Sequence, residues 1–527
     1  MEQTALIIGN LKTSNHIAQQ LLRHHIKVVI STREKIPGIQ KLNTSDQNTA
    51  EIIQDSQVIR CLGNYGDFLV TLKTGKGSES LITIPVSIII IDAKPEIAPE
   101  FKLYGLIPGL KVIALSDIQK KVRDFAGRKI VFLAGIFKES NPVVHQRIME
   151  SVLLLQKDYG FQTYTLTGNL KVAQHGQEEL YQRTRDAGAI YIKYTDTKPK
   201  ITSNENGDVH IIFTDEIIGS EFTLTPDLVV VDEQIHASDY FHSLSEILKI
   251  ESEMDYFLQK DNIHRNTVYT NRKGILVTGN SRGIMSDTEK GLDAHAAAIT
   301  AIQLLEERLQ TDGEKAQITQ GQCVKCLTCY RLCPYSAISP EIPIRIFEQS
   351  CERCGICVAN CPKKAITISD LNLLDQLDQL QINSDRNHTN KSNSEFKPEI
   401  LIFFCSHSGS LALDTLSYED NEHPNNIKSV NVPCGGSISD SHILDGFKYA
   451  DGIMVFTCHQ DNCHSHRGTS DAKNRCAKVS DQLQEVGFTP KRLQFHTIAA
   501  NMGSQLKQLI REFNASLIKL GPNILKK

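Results

Sequence analysis

Short apolar runs punctuate the first three hundred residues, and between them the apolar positions change to a helical spacing. The runs at Ala5–Ile8, Val28–Ser31, Ser87–Ile91, Ile130–Leu133, Thr163–Leu166, Ile190–Lys193, Leu228–Val231 and Ile275–Thr278 have the length of buried strands. Helical stretches fall between them, among them His16–His25, Val143–Tyr159 and Ala294–Leu309. Strand and helix in alternation predict parallel sheets covered by helices, an α/β architecture for residues 1–311. The pattern then breaks. Residues 312–370 are cysteine-rich and too short for a large apolar core, so bound groups must stand in for much of it. Residues 382–398 are polar and aperiodic, which predicts a flexible linker within 371–398. From Glu399 the alternation resumes, with strands at Ile400–Phe404, Ser429–Val432 and Gly452–Thr457 in a second α/β domain, 399–527.

Composition narrows this picture. The chain has 527 residues, enough for three or so domains, and 40% of them are hydrophobic. A formal charge of −4 with both signs abundant gives no basic footprint for nucleic acid. No apolar stretch approaches a membrane span; Val86–Ile91 is typical. Met1-Glu2-Gln3-Thr4 lacks the basic start of a signal peptide. The expectation is a soluble cytoplasmic protein in reducing conditions, with any membrane association made through partners. The glycosylation-type sites at Asn387 and Asn390 carry no weight in that compartment.

Twelve of the fourteen cysteines form three groups. Cys323-Val-Lys-Cys326-Leu-Thr-Cys329-Tyr-Arg-Leu-Cys333-Pro334 is repeated as Cys351-Glu-Arg-Cys354-Gly-Ile-Cys357-Val-Ala-Asn-Cys361-Pro362. This is the bacterial ferredoxin spacing, in which the fourth cysteine of each run ligates the other cluster. It predicts one [4Fe-4S] cluster on Cys323, Cys326, Cys329 and Cys361, and another on Cys333, Cys351, Cys354 and Cys357. Structural zinc is the alternative, but zinc rarely needs four cysteines at this spacing with a proline after the last. The third group is Cys405, Cys434, Cys458 and Cys463. Three of these follow predicted strands, and ligands of open parallel sheets gather at the carboxyl ends of strands. Four thiolates suit either a [2Fe-2S] cluster or tetrahedral zinc. Gly435 and Gly436 would allow close backbone approach to sulfide. His459 and His464 flank a ligand set already complete, so an outer position is expected for both. Cys61, at the end of a predicted strand, and Cys476, on a polar helix, read as free thiols.

Several stretches carry a family resemblance. Residues 1–370 resemble the heterodisulfide reductase A subunit, which is a flavoprotein of the thioredoxin reductase type with a ferredoxin module. The likeness lies in Gly63-Asn-Tyr-Gly-Asp-Phe-Leu-Val70, Pro226-Asp-Leu-Val-Val-Val231, Gly274-Ile-Leu-Val-Thr-Gly-Asn-Ser-Arg-Gly283 and Ala296-Ala-Ala-Ile299. Residues 399–527 resemble the delta subunit of methyl-viologen-reducing hydrogenase, through Cys434-Gly-Gly-Ser-Ile438 and Ala450-Asp-Gly-Ile-Met-Val-Phe-Thr-Cys458-His-Gln-Asp-Asn-Cys463-His464. The two-part order is similar to the B subunit of the quinone-interacting membrane-bound oxidoreductase complex.

The resemblance implies a Rossmann-like unit of two dinucleotide-binding domains with a subdomain at 126–230 inserted, then an α+β two-cluster ferredoxin module, then an open parallel α/β domain. It implies [2Fe-2S] at Cys405, Cys434, Cys458 and Cys463, and FAD in the first domain. Here the sequence departs from the family. The G-x-G-x-x-G turn that admits a pyrophosphate reads Gly9-Asn-Leu-Lys-Thr-Ser14. The acidic ribose partner expected near Ser31 or Thr32 is missing, an Ala-Thr-Gly turn reads Ile91-Asp92-Ala93, and the glycine expected after Val231 is replaced by Asp232. Gly9, Gly279 and Gly283 remain as candidate FAD contacts.

No Ser/His/Asp or Cys/His catalytic constellation is evident. The sequence therefore reads as an iron–sulfur electron-transfer subunit, with substrate chemistry on partner subunits of a heterodisulfide-reductase-like, quinone-interacting or hydrogenase complex. An FAD-containing catalytic or electron-bifurcating subunit and a zinc-stabilised scaffold are the rival readings.

Overall fold

The computed structural model describes residues 3–525 except 10, 36–40, 44–48, 76–79, 123–128, 196, 205–206, 216–218, 254, 260–261, 263, 265–266, 308–314, 370–395 and 420–425. Most of the expected linker thus lies outside the described residues. The chain forms two compact units, one of residues 1–92, 242–278 and 292–527, the other of 93–241 and 279–291. Among the described residues no helix is long and apolar enough to cross a membrane.

The first unit opens on a six-stranded sheet. Its order is Ile275–Val277, Ile88–Asp92, Thr4–Gly9, Lys27–Ser31, Thr49–Ile53, Lys41–Asn43, parallel except at the last pair. The strand Ile88–Asp92 is buried at every position, as expected for a parallel sheet covered on both faces. An antiparallel sheet of Ser56–Asn64, Asp67–Thr74 and Ser80–Val86 follows, which the apolar runs did not predict. Cys61 lies within its first strand, opposite Val70, rather than at a strand end. Its buried thiol is pushed up by desolvation.

The second unit holds a five-stranded parallel sheet, ordered Val112–Ala114, Leu228–Val231, Lys129–Ala134, Gln162–Thr167, Ile190–Lys193. The helix Pro142–Tyr159 that follows its middle strand is punctuated at both ends. Asn141 accepts the Val143 N–H at 2.9 Å, Pro142 occupies the first turn, and Gly160 closes the helix at φ 68°. A three-stranded antiparallel sheet of Lys200–Ser203, Val209–Asp215 and Ser220–Leu224 and the antiparallel pair Glu96–Pro99 with Glu233–His236 also belong to this unit.

Back in the first unit, the described residues of the cysteine-rich segment form two short ladders, Gln317–Ile318 with Ile366–Thr367 and Ile338–Ser339 with Arg345–Ile346. Beyond it, Ile427–Val432, Ile400–Cys405, Gly452–Thr457 and Leu493–Thr497 make a parallel four-stranded sheet. Helices close both faces. Gly468–Glu485 buries Ala472, Cys476, Val479 and Leu483 on one face, and Gly503–Leu520 buries Leu506, Ile510, Phe513 and Leu517 on the other, both at helical spacing. Cys476 is a core residue here. Phe403 is fully buried in the first of these cores, so Phe403→Ala should lower the stability of this domain by about 3–5 kcal/mol. A denaturation midpoint unchanged by the substitution would refute that packing.

Candidate metal centres

The two ferredoxin runs fold into the same local shape. In the first, Lys325 and Leu327 adopt φ of 56° and 58°; at the equivalent positions of the second, Arg353 and Gly355 adopt 52° and 74°. Left-handed residues between the cysteines bend the backbone into a concave nest that can present N–H groups to an anionic sulfur core. The repeats also agree outside the nest. Cys333 Sγ accepts the Ala337 N–H at 3.3 Å, and Cys361 Sγ accepts the Ala365 N–H at 3.2 Å.

Each nest borders a hollow, and the eight thiols divide between the two. Cys323, Cys326, Cys329 and Cys361 line one together with Ile318, Ile344 and Ile366. Cys333, Cys351, Cys354 and Cys357 line the other together with Ile338, Ile346 and Ile368. The fourth cysteine of each run thus stands with the first three of the other. Among the described residues no three His, Cys, Asp or Glu side chains close on a single ion-sized point. Burial pushes the Cys354 thiol up to about 12 and holds Cys333 and Cys357 above their ordinary value. A thiolate in such a place requires a compensating cation, so metal loading should release protons.

The third group lies at the carboxyl edge of the C-terminal sheet. Cys405 ends one strand, Cys434 and Cys458 follow the two beside it, and Cys463 closes the short turn Gln460–Asn462. All four are buried. Cys405 and Cys458 place their sulfurs 3.8 Å apart. Cys463 accepts the Thr469 N–H at 3.4 Å. The neighbouring Cys434 and Cys458 thiols hold Cys463 low and are themselves pushed up.

The surrounding backbone is fitted to sulfur. The Gly435 backbone lies beside Cys405 and helps to hold its thiol low. A Cβ on Gly468, at the start of its helix, would stand 2.0 Å from Cys434 Sγ. Gly468, Thr469 and Asn262, whose amide donates to the Cys463 carbonyl at 3.1 Å, had no signal in the sequence. Gly436 serves a different neighbour: its Cβ position is 2.7 Å from Ile356. His464 stacks on His407 with ring centroids 3.6 Å apart, and His264 meets both rings edge-on. His459 is exposed and pairs with Thr497 at 3.1 Å.

The ferredoxin segment rests directly on this edge. A Cβ at Gly355 would lie 2.6 Å from Ser437 Cβ, so the loop between Cys354 and Cys357 touches the loop after Cys434. Tyr335, buried beside Cys333, donates to Ser465 Oγ at 3.1 Å. Of the candidate flavin contacts, Gly9 ends the first strand of one unit, while Gly279 (φ 57°) and Gly283 belong to the other.

Comparison with known proteins matches both halves of this arrangement. Residues 400–521 fit the family described as methyl-viologen-reducing hydrogenase, delta subunit. The iron–sulfur D subunit of an F420-non-reducing hydrogenase from Archaeoglobus profundus is 30% identical over 131 residues, 25% of this chain and 96% of that protein. The CoB-CoM heterodisulfide reductase A subunit from Methanosarcina acetivorans is 26% identical over 356 residues, and its counterpart from Methanosarcina mazei is 25% identical over the same length. Those matches cover 67% of this chain but only 44% of each reductase protein, so the chain spans less than half of their length. The chain belongs, through its C-terminal domain, to the methyl-viologen-reducing hydrogenase delta-subunit family, and it joins that domain to a heterodisulfide reductase A-like region.

Proposed function

We propose that this protein is the iron–sulfur electron-transfer subunit of a heterodisulfide-reductase-like complex. Two [4Fe-4S] clusters are assigned to the ferredoxin hollows, with the ligand sets that line them, and one [2Fe-2S] cluster to Cys405, Cys434, Cys458 and Cys463. Such centres supply one-electron transfer. The chain holds their thiolates, lines the ferredoxin sites with isoleucines, and sets their separation. The observation that carries the reading is the seating of the Cys354–Cys357 loop on the Cys434 loop. A ferredoxin and a delta-subunit domain that merely shared a chain would have no reason to pack their cysteine loops together. The names of the relatives support a complex with further subunits, and the partners of this chain would dock beside the ferredoxin module and beside the edge bearing Cys458 and Cys463. Stable docking of that kind buries on the order of 1,000 Å² or more. Native mass measurement of the untagged protein from its own cells checks this; a lone monomer that turns over a small substrate unaided would contradict it.

Metal analysis tests the reading most directly. Anaerobically purified protein should contain about ten irons and about ten sulfides per chain, from four, four and two. About two irons, or zinc in their place, would sink the assignment.

A further inference from the structure

Both dinucleotide-binding halves place an aspartate at or just past a strand's carboxyl end, where a bound dinucleotide would bring its pyrophosphate. In the first sheet, Thr4–Gly9 has Lys27–Ser31 on one side and Ile88–Asp92 on the other. Its carboxyl end is therefore the switch point at which open α/β sheets take their ligands. The helix Leu11–Arg23 begins there, and the unpaired N–H groups of a helix start favour an anion. Asp92 reaches across this turn. Its Oδ2 accepts Thr13 Oγ1 at 2.5 Å and Ser14 Oγ at 2.8 Å, from the helix's first turn. Asp92 is 4% exposed and Ser14 is fully buried. A Cβ at Gly9 would lie 2.3 Å from the Asp92 carbonyl oxygen and 2.9 Å from its Cβ. The surviving glycine thus serves close packing against the aspartate.

The other unit repeats the arrangement independently. Lys129–Ala134 lies between Leu228–Val231 and Gln162–Thr167, and the helix Pro142–Tyr159 follows it. Asp232, one residue beyond its strand, turns its carboxylate over that connection. Oδ2 accepts the Gly135 N–H at 2.8 Å and Ser140 Oγ at 2.9 Å, and Oδ1 accepts the Tyr104 hydroxyl at 2.9 Å. The residue is 2% exposed, and Asn141 already caps the helix start. The same residue type, on the same neighbouring strand, meets hydroxyl or N–H donors of the same connection in both halves.

We propose that Asp92 and Asp232 are built-in substitutes for the phosphates of a dinucleotide, so that this region binds neither FAD nor a nicotinamide dinucleotide. The FAD implied by the family resemblance does not fit the residues present. Its pyrophosphate would have to displace a buried carboxylate that already takes the donors, or share the turn with a like charge at low dielectric, where repulsion is strong. The region keeps the sheets of a flavoprotein and uses them as a frame. The electron-bifurcating reading, which needs flavin, falls with the site.

Equilibrium dialysis of the cluster-loaded full chain against FAD, NADPH and inorganic pyrophosphate tests the proposal, with Asp92→Ser as the comparison. The wild-type chain should retain none of the three after desalting. Asp92→Ser should bind pyrophosphate about tenfold more tightly than wild type, a modest gain for removing a buried like charge. One FAD or NADPH retained per wild-type chain overturns the proposal. So does a folded Asp92→Ser chain that binds pyrophosphate no better than wild type. If the serine variant does not fold, Asp92→Asn, which keeps the shape and loses the charge, is judged by the same criterion.

Discussion

Replacing Cys434 with serine should remove the proposed [2Fe-2S] centre and spare the two proposed [4Fe-4S] centres. Iron should fall from about ten to about eight per chain, and the reduced [2Fe-2S] signal should vanish from the EPR spectrum while the cubane signals persist. Cys434 is 3% exposed and has the Gly468 backbone pressed against its sulfur. A hydroxyl at this position is a harder and shorter ligand than iron–sulfide chemistry prefers. The ferredoxin cysteines give the complementary result: Cys333→Ser should take away the centre that Cys351, Cys354 and Cys357 hold, and Cys361→Ser the one on Cys323, Cys326 and Cys329. If Cys333→Ser instead abolishes the centre of its own run, the ligands are divided wrongly. Cys61→Ser is the control, since Cys61 stands in an antiparallel strand opposite Val70 rather than a second thiol; its iron content should equal that of the unaltered chain.

The sequence was most legible where periodicity and chemistry agreed. Every apolar run read as a strand in residues 1–311 is one to within a residue or two at its ends, and Leu228–Val231 matches at both. For all but Ile190–Lys193, which lies at a sheet edge and is half-exposed, the reason is burial on both faces, which leaves a continuous apolar run. The antiparallel strands escaped because their alternation is blurred. In Asp67–Thr74, Phe68, Val70 and Leu72 face inward, but Leu69 is apolar too and 43% exposed. At the metal centres the ferredoxin spacing announces its fold because all eight thiols come from one short segment. The supports of the third group do not, since Asn262 lies 201 residues before Cys463 and becomes its neighbour only through tertiary folding. Asp92 and Asp232 illustrate a further limit. Read along the chain, Asp92 stands where the family has the threonine of Ala-Thr-Gly and Asp232 where it has a glycine; in the folded protein they are buried acceptors of hydroxyl and N–H donors.

Enlarging Gly436 will uncouple the C-terminal centre from the ferredoxin without unloading either. Its Cβ position is 2.7 Å from Ile356 Cγ1 and 3.0 Å from Gly468 Cα, so Gly436→Val wedges apart the loops that carry Cys434 and Cys357. Overpacking of this kind costs about 1–3 kcal/mol, which lowers the docked fraction roughly five- to a hundredfold relative to the undocked one. Electron transfer weakens steeply with separation, so the undocked chains contribute little to exchange. After rapid mixing with a reductant for the ferredoxin centres, freeze-quenched EPR should show the cubanes reduced on time and the [2Fe-2S] signal delayed. Iron content should stay at about ten. Ile356→Ala in the same chain removes the side chain that the new Cβ strikes, and it should bring back much of the lost rate. That rescue separates a steric wedge from a damaged ligand loop, because an alanine at 356 would repair nothing in the cysteines themselves. Undelayed [2Fe-2S] reduction in Gly436→Val, with the domains shown to be parted, would mean that electrons reach the third centre by another route and that the contact between Ile356 and Gly436 is packing alone.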